Sequence, residues 1–307
     1  MRRLHFVLAC LFLAGASLAW WLSAPQPRFS PAQWQALGLS GDADRGRRMF
    51  FAGGCESCHV TPGQTDPLRL GGGLKLRTPF GSFYPPNISS DRIDGIGAWS
   101  TVDLANALLS GVSPKSEHLY PAFPYTSYQR MTPSDVADLI AFLRTLPAVR
   151  GRPPAHRLHF PFSLRRGLGL WKLLYFNDAG LSPDPKQSAL WNLGRYLVEG
   201  PGHCGECHTP RNLLGAMKRG LRLAGAAVPD GKGNAPNLTG GGPLANWTNA
   251  DIVEALSSGF TPDGDVLGGG MTAVVRNLAQ LPKSDLEAIA TYLKSLPPIG
   301  EPSTAKP

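Results

Sequence analysis

No nucleophile elbow, phosphate-binding glycine loop or H-E-x-x-H metal-binding histidine pair occurs in these 307 residues. The common constellations of hydrolases and nucleotide-driven enzymes are therefore missing from the primary structure. Long β-rich runs are missing too, which argues against a sandwich or barrel. Cysteine, methionine and histidine are scarce, at 5, 5 and 7 residues, so the position of each one carries information. Glycine and proline are plentiful, at 36 and 29, and much of the chain must be loop.

Four of the five cysteines fall in two copies of one pattern. Cys55-Glu56-Ser57-Cys58-His59 recurs as Cys204-Gly205-Glu206-Cys207-His208. Each is a C-x-x-C-H run, the attachment signature of a c-type haem. Two thiols three residues apart on a turn opening into helix can each add to a porphyrin vinyl group. The imidazole of the next residue then lies over the ring centre and ligates iron. Zinc wants four protein ligands, and neither motif has a second CxxC or a nearby histidine pair to complete a set. A thioredoxin-like pair needs a βαβ context that the flanking sequence lacks. The pattern predicts two covalently bound haem c groups, held by Cys55, Cys58 and His59 and by Cys204, Cys207 and His208. It leaves no disulfide framework. Each histidine is expected to give its second ring N–H to a backbone carbonyl, for which Pro62 and Pro210 lie in suitable segments.

At the N-terminus, Arg2 and Arg3 precede an apolar run from Leu4 to Leu22, long enough to cross a bilayer core of about 30 Å as a helix. A cleaved signal would need a shorter apolar region and a small-x-small site. Ser17-Leu18-Ala19 offers one, but the Trp20-Trp21 pair after it suits an interfacial anchor better. The expectation is an uncleaved anchor with its N-terminus in the cytoplasm, and haem-bearing parts in the periplasm of a bacterium. Cys10 lies inside this run, away from both motifs.

The chain also repeats itself beyond the two motifs, and repeats decide a fold before anything else. Asn87 and Asn237, in Pro86-Asn87-Ile88 and Pro236-Asn237-Leu238, lie 32 and 33 residues beyond Cys55 and Cys204. Trp99 and Trp247 follow at 44 and 43 residues, and Asp135 and Asp285 at 80 and 81. Each copy reads helix, haem motif, Gly/Pro-rich loop, helix, loop, helix. Val136, Leu139, Ile140 and Leu143 share one helical face, as do Leu286, Ile289, Ala290 and Leu293. Ser134-Asp135 and Ser284-Asp285 signal the start of these last helices, and Leu146-Pro147 and Leu296-Pro297 end them. The middle helices should end at Gly111 and Gly259. The predicted fold class is mainly α: two tandem class I cytochrome c-like helical haem domains with Gly/Pro-rich loops, plus an N-terminal hydrophobic helix. Its parts are the anchor at 1–27, a first domain at 40–147, an ordered connector at 148–188, a second domain at 189–298 and a disordered tail at 299–307.

Each iron needs a sixth ligand, which low-spin electron-transfer haem usually takes from the loop before the last helix. Met271, on what reads as a flexible loop after Gly268-Gly269-Gly270, fits that place in the second copy. Met49 reads as core, and Met217 follows its motif too closely. In the first copy the corresponding place falls near Phe123, which cannot ligate iron. Three readings stay open there: Met131 as ligand, Met131 as a hydrophobic staple with His118 as ligand, or an open iron.

Further landmarks are Pro79-Phe80-Gly81, Gly95-Ile96-Gly97-x-Trp99-Ser100, Leu119-Tyr120-Pro121-Ala122-x-Pro124-Tyr125-x-Ser127-Tyr128, Trp191-Asn192, Tyr196-Leu197-Val198-Glu199-Gly200 and Thr209-Pro210-Arg211-Asn212. With the haem motifs, these make residues 40 to 300 resemble the multihaem c-type cytochrome subunits of membrane-bound bacterial alcohol, gluconate and fructose dehydrogenases. The resemblance implies a subunit that accepts electrons from a catalytic dehydrogenase and passes them to quinone or another respiratory carrier. It also implies Met131 as the first sixth ligand, because relatives with Phe at the Phe123 position carry Met there. Two features depart from the better-known members, which have three haem motifs and a C-terminal anchor. That departure leaves the final acceptor open among quinone, a soluble cytochrome and a terminal oxidase.

The implied work is electron transfer, with no catalytic residues of its own. The net charge of +8 admits a basic docking face for an acidic partner, or compensation of haem propionates. A nucleic-acid partner does not suit an exported haem protein. Two rival readings are a dihaem peroxidase, which needs one iron with a free sixth site, and a maturation protein whose haems only sense redox state.

Overall fold

A computed structural model describes residues 1–177, 179–228 and 233–300. Of the tail at 299–307, expected to be disordered, residues 301–307 lie outside the described residues, while the Ile299 carbonyl accepts from the Asn237 amide at 2.7 Å. The structure is mostly helical. Helices in the first part are α1 (Arg2–Leu22), α2 (Pro31–Ala36), α3 (Ala43–Ala52), α4 (Cys55–His59), α5 (Thr101–Ser110), α6 (Tyr125–Tyr128) and α7 (Pro133–Thr145). They continue as α8 (Gly167–Tyr175), α9 (Ala189–Glu199), α10 (Gly205–His208), α11 (Asn249–Ser257), α12 (Gly270–Leu278) and α13 (Lys283–Lys294). Short strands β1 (Leu76–Thr78), β2 (Gly81–Phe83) and β3 (Arg157–Leu158) form an antiparallel sheet in that order, and β4 (Ala226–Ala227) pairs with β5 (Asn234–Ala235).

Local chemistry sets the helix ends. Ser100 and Thr248 cap α5 and α11, each in a reciprocal box with the aspartate three residues on. Gly111 ends α5 in the left-handed region at φ 60°, which a residue with a Cβ would adopt only at a cost. The α7 cap is Thr132, with Pro133 in the first turn, two residues before the predicted Ser134. Pro133 supplies the pre-set φ of a first helical residue and lacks the N–H that would go unpaired there.

Two hydrophobic cores form, each around one pair of crossing helices. In the first, α3 lies against α7; Phe50, Val136 and Ile140 are at most 1% exposed, with Leu139 and Leu143 beside them. In the second, α9 lies against α13, and Leu197, Val198, Leu286, Ile289, Ala290 and Leu293 are buried. Each such aliphatic side chain contributes on the order of 2 kcal/mol by leaving water. The crossings are close because glycine sits at both. A Cβ on Gly46 would overlap the Asp138 carbonyl, and one on Gly194 the Ala288 carbonyl.

The segment after α7 crosses from one core to the other. Val149 and Gly151 carbonyls accept from the Asn87 amide at 2.7 and 3.0 Å, and β3 extends the β1–β2 sheet. Lys172 of α8 donates to the carbonyls of Ser110 and Gly111 at 2.6 and 2.9 Å, while Trp171 donates to Leu214 at 2.9 Å.

Helix α1 buries none of its residues and meets the rest of the chain at its C-terminal end. It is long and apolar enough to cross a membrane, with a mean hydropathy of 1.8.

Candidate haem-binding sites

The two C-x-x-C-H runs lie on the one-turn helices α4 and α10, each entered through a left-handed residue. Gly54 has φ 55° and its counterpart His203 has φ 39°. A non-glycine residue there is strained, and the His203 ring is tied down, Nε2 donating to the Gly53 carbonyl at 3.1 Å. All four thiols are unpaired. Burial pushes Cys55 and Cys204 up to about 12, so both are neutral and suit an apolar neighbour. Among the described residues no three His, Cys, Asp or Glu side chains gather as a metal cluster would require.

The histidines are held alike. His59 Nδ1 donates to the Pro86 carbonyl at 2.8 Å, and His208 Nδ1 to the Pro236 carbonyl at 2.7 Å. A carbonyl can only accept, so in each ring the proton is on Nδ1 and the Nε2 lone pair is free for iron. Burial lowers both histidine pKa values and favours that neutral form. The expected acceptor carbonyls of Pro62 and Pro210 are corrected to those of Pro86 and Pro236. A residue two or three positions beyond the histidine is too near in the chain to face its ring, whereas a crossing loop can. The signal was present: both prolines open the Pro-Asn repeat.

The sulfur positions differ from expectation at one point. Met271 sits in the first turn of α12, not on a loop. The three glycines before it hide a helix that forms because Leu278 buries into the second core and Val274 packs against it. Met131 is 4% exposed in the first core, between α6 and α7. Its backbone N–H bonds Tyr128 O at 2.8 Å, as that of Leu281 bonds Leu278 O at 2.9 Å, so the two residues occupy one place in the repeat. Phe123 stacks edge-on against Tyr128 at 5.6 Å. His118 turns away from this role: its Nε2 donates to Ser23 O at 2.9 Å, at the end of α1.

Residues inside the motifs do work that sequence reasoning missed. Glu56 is 2% exposed and accepts from Arg276 and Asn277 of α12 at 2.7 and 2.9 Å. Glu206 answers it, accepting from Thr126 and Ser127 of α6 at 2.6 and 2.9 Å. Burial alone would raise the Glu206 carboxyl, but Arg211 and the Thr126 hydroxyl hold it below its ordinary value. Arg48 of α3 pairs with Asp285 of α13 at 2.6 Å, and Tyr196 of α9 donates to Asp135 of α7 at 2.5 Å. Each attachment motif thus grips the helix that precedes the last helix of the other core. Burial raises the Cys58 thiol above its ordinary value, and charge on Cys207 adds to that rise. The acidic residue within each motif was the available signal, but nothing local says what it binds.

Paired thiols, a following imidazole with Nε2 free and a crossing carbonyl define a c-type cytochrome. The cytochrome c family profile matches residues 43–147. Over 305 residues the chain is 48% identical to a diheme cytochrome c-type protein of Cereibacter sphaeroides, covering 97% of this chain and 99% of that one. The chain therefore belongs to the cytochrome c family, and it is an electron-transfer protein carrying covalently bound haem c. It is 40% identical over 296 residues to a nicotinate dehydrogenase subunit of Pseudomonas putida, covering 96% of this chain but 24% of that one. With the fructose dehydrogenase cytochrome subunit of Gluconobacter japonicus it shares 37% over 263 residues, 82% of this chain and 52% of the relative. The chain thus spans about a quarter and about half of those two relatives.

Proposed function

We propose that this chain is a dihaem cytochrome of two tandem class I haem domains, residues 40–147 and 189–298, joined by an ordered connector at 148–188. It would take electrons from a dehydrogenase subunit and hand them to the respiratory chain through quinone, a soluble cytochrome or a terminal oxidase. The observation that carries the reading is the duplicated histidine geometry, His59 on Pro86 O and His208 on Pro236 O, each beside two free thiols. The relatives add support, since one is named as a diheme cytochrome and another as the cytochrome subunit of a fructose dehydrogenase.

When bound, haem supplies a one-electron iron couple at each site. Cys55 and Cys58 would hold the first covalently and Cys204 and Cys207 the second. His59 and His208 would supply Nε2 to the iron, and Met131 and Met271 would supply a thioether sulfur. The Glu56 and Glu206 contacts keep the two halves from drifting apart. Helix α1 would anchor the protein in a bacterial inner membrane with the haem-bearing parts in the periplasm.

Mass spectrometry of the exported protein tests the core of this reading. It should gain the mass of two haem groups, surviving acid extraction. A gain of one haem or none would overturn it.

A further inference from the structure

Outside α1, large exposed apolar side chains collect where that helix ends. Helix α8 is built inside out: Gly169 and the Lys172 side chain turn inward, whereas Leu170, Leu173 and Leu174, at i, i+3 and i+4, turn outward at 40%, 57% and 68% exposure. The loop before it adds Phe160 and Leu164, and the Trp171–Leu214 hydrogen bond brings Leu213 alongside. Three separate segments thus contribute to one uncovered face. A soluble protein rarely leaves such a face open without a partner for it.

The contacts to α1 say what that partner is. Arg166 donates to the Trp20 carbonyl at 2.6 Å and to Ser23 Oγ at 3.0 Å, and its guanidinium lies 4.2 Å from the Trp20 ring. Gly169 abuts Ser23 so closely that a Cβ would overlap its carbonyl, and His118 holds that same carbonyl from the other side. The end of α1 is therefore fixed beside α8 by three groups, the Arg166 and His118 side chains and the Gly169 backbone. Trp20 and Trp21, both exposed, are the residues that sit at headgroup level when a helix spans a bilayer. A leucine face pinned beside them stands at the same level. Exposed Lys218 and Arg219 rim it, Arg219 reaching the Tyr175 carbonyl of α8 at 3.5 Å. Leucines flanked by cations are the pattern of a surface that lies in a phospholipid interface.

We propose that α8, with residues 160–164 and the 213–214 turn, rests in the outer-facing interface of the bilayer that α1 crosses, so that the protein lies on the membrane at a fixed orientation. This rests on α1 being a span. It would hold both candidate haem sites at a set height and limit their swing about the anchor.

The test uses the full holoprotein in phosphatidylethanolamine–phosphatidylglycerol vesicles, with the free Cys10 replaced (Cys10→Ser) and a single spin label at Leu173→Cys, Leu174→Cys, Leu11→Cys or Leu190→Cys. Leu190 is exposed on α9, remote in sequence from the patch, and unchanged haem spectra verify folding. Collision rates with oxygen, which prefers lipid, and with a water-soluble nickel chelate are compared. The proposal expects oxygen to exceed nickel at Leu173 and Leu174, as at Leu11, with the reverse at Leu190. Lipid-like behaviour at Leu11 with water-like behaviour at Leu173 and Leu174 overturns the proposal and leaves the anchor standing. Water-like behaviour at all four sites overturns the anchor reading as well. Shielding of Leu173 and Leu174 from both reagents assigns the face to a protein contact, and also overturns it.

Discussion

Met131 and Leu281 occupy the same step of the repeat, so replacing Met131 by Leu copies what the second half already accommodates. A volume-conserving change of this kind costs less than about 1.5 kcal/mol, which separates loss of folding from loss of sulfur. If Met131 ligates the first iron, Met131→Leu should turn one haem wholly or partly high-spin, lower its potential and halve the near-infrared sulfur-to-iron band. Met271→Leu should do the same to the other haem, and the double variant should lose the band. Both haems staying low-spin with the band intact after Met131→Leu would assign Met131 to packing alone. Peroxide turnover by a high-spin wild type would instead favour the peroxidase reading.

Lys172 makes a second prediction at this scale. Burial pushes its ammonium from 10.5 down to about 7, while the carbonyls of Ser110 and Gly111 and the Tyr125 ring at 4.6 Å oppose that fall. A folded-state pKa below the unfolded one means that the unfolded chain binds more protons between the two values. Stability should therefore rise with pH from about 7 toward 10.5. Urea midpoints between about pH 7 and 9 should climb in the wild type relative to Lys172→Met; parallel curves would remove Lys172 as the cause.

At the scale of elements, the clasps between the halves are asymmetric in exposure. Glu56 is 3% exposed in its side chain and Arg276 is 59% exposed. Arg276→Ala leaves a buried carboxylate with reduced compensation, a situation that costs about 3–5 kcal/mol in full burial. Glu56→Gln leaves a guanidinium that water can reach, so it should cost less. Urea denaturation that ranks Glu56→Gln as the more damaging change would contradict this account. The same reasoning applies to α3 on α7, where Gly46→Ala forces a methyl into the Asp138 carbonyl and should cost about 1–3 kcal/mol by overpacking.

For the whole molecule, α1 buries none of its own residues, and its contacts to the rest are made around Trp20 and Ser23. Removing residues 1–22 while supplying a cleavable signal, and keeping Ser23 for His118, should yield a protein with an unchanged haem spectrum that alkaline washing releases from membranes. If the wild-type chain is itself found processed and soluble, α1 is a signal and not an anchor. The repeat made the two-core plan legible at this scale, because its landmarks hold their offsets from the motifs. The way the cores meet was not legible, since Arg48, Asp285, Tyr196 and Asp135 are ordinary helix-surface residues until the other half faces them.

What the sequence determined by itself is whatever lies within a few residues of chain. Paired thiols and an imidazole on one turn declare a haem motif, Ser100 and Thr248 cap their helices, and the spacing of Val136, Leu139, Ile140 and Leu143 marks a buried face. Tertiary structure decided which distant group meets each local one. It chose Pro86 and Pro236 over Pro62 and Pro210, turned His118 to Ser23, gave Glu56 and Glu206 their partners, and made α12 from a glycine-led segment whose valine and leucine had a core to enter. The reason is physical. Caps, turns and periodicity are short-range and set by neighbouring atoms, whereas a buried carboxylate or ring nitrogen is satisfied only by the group that the packed chain brings within hydrogen-bonding reach.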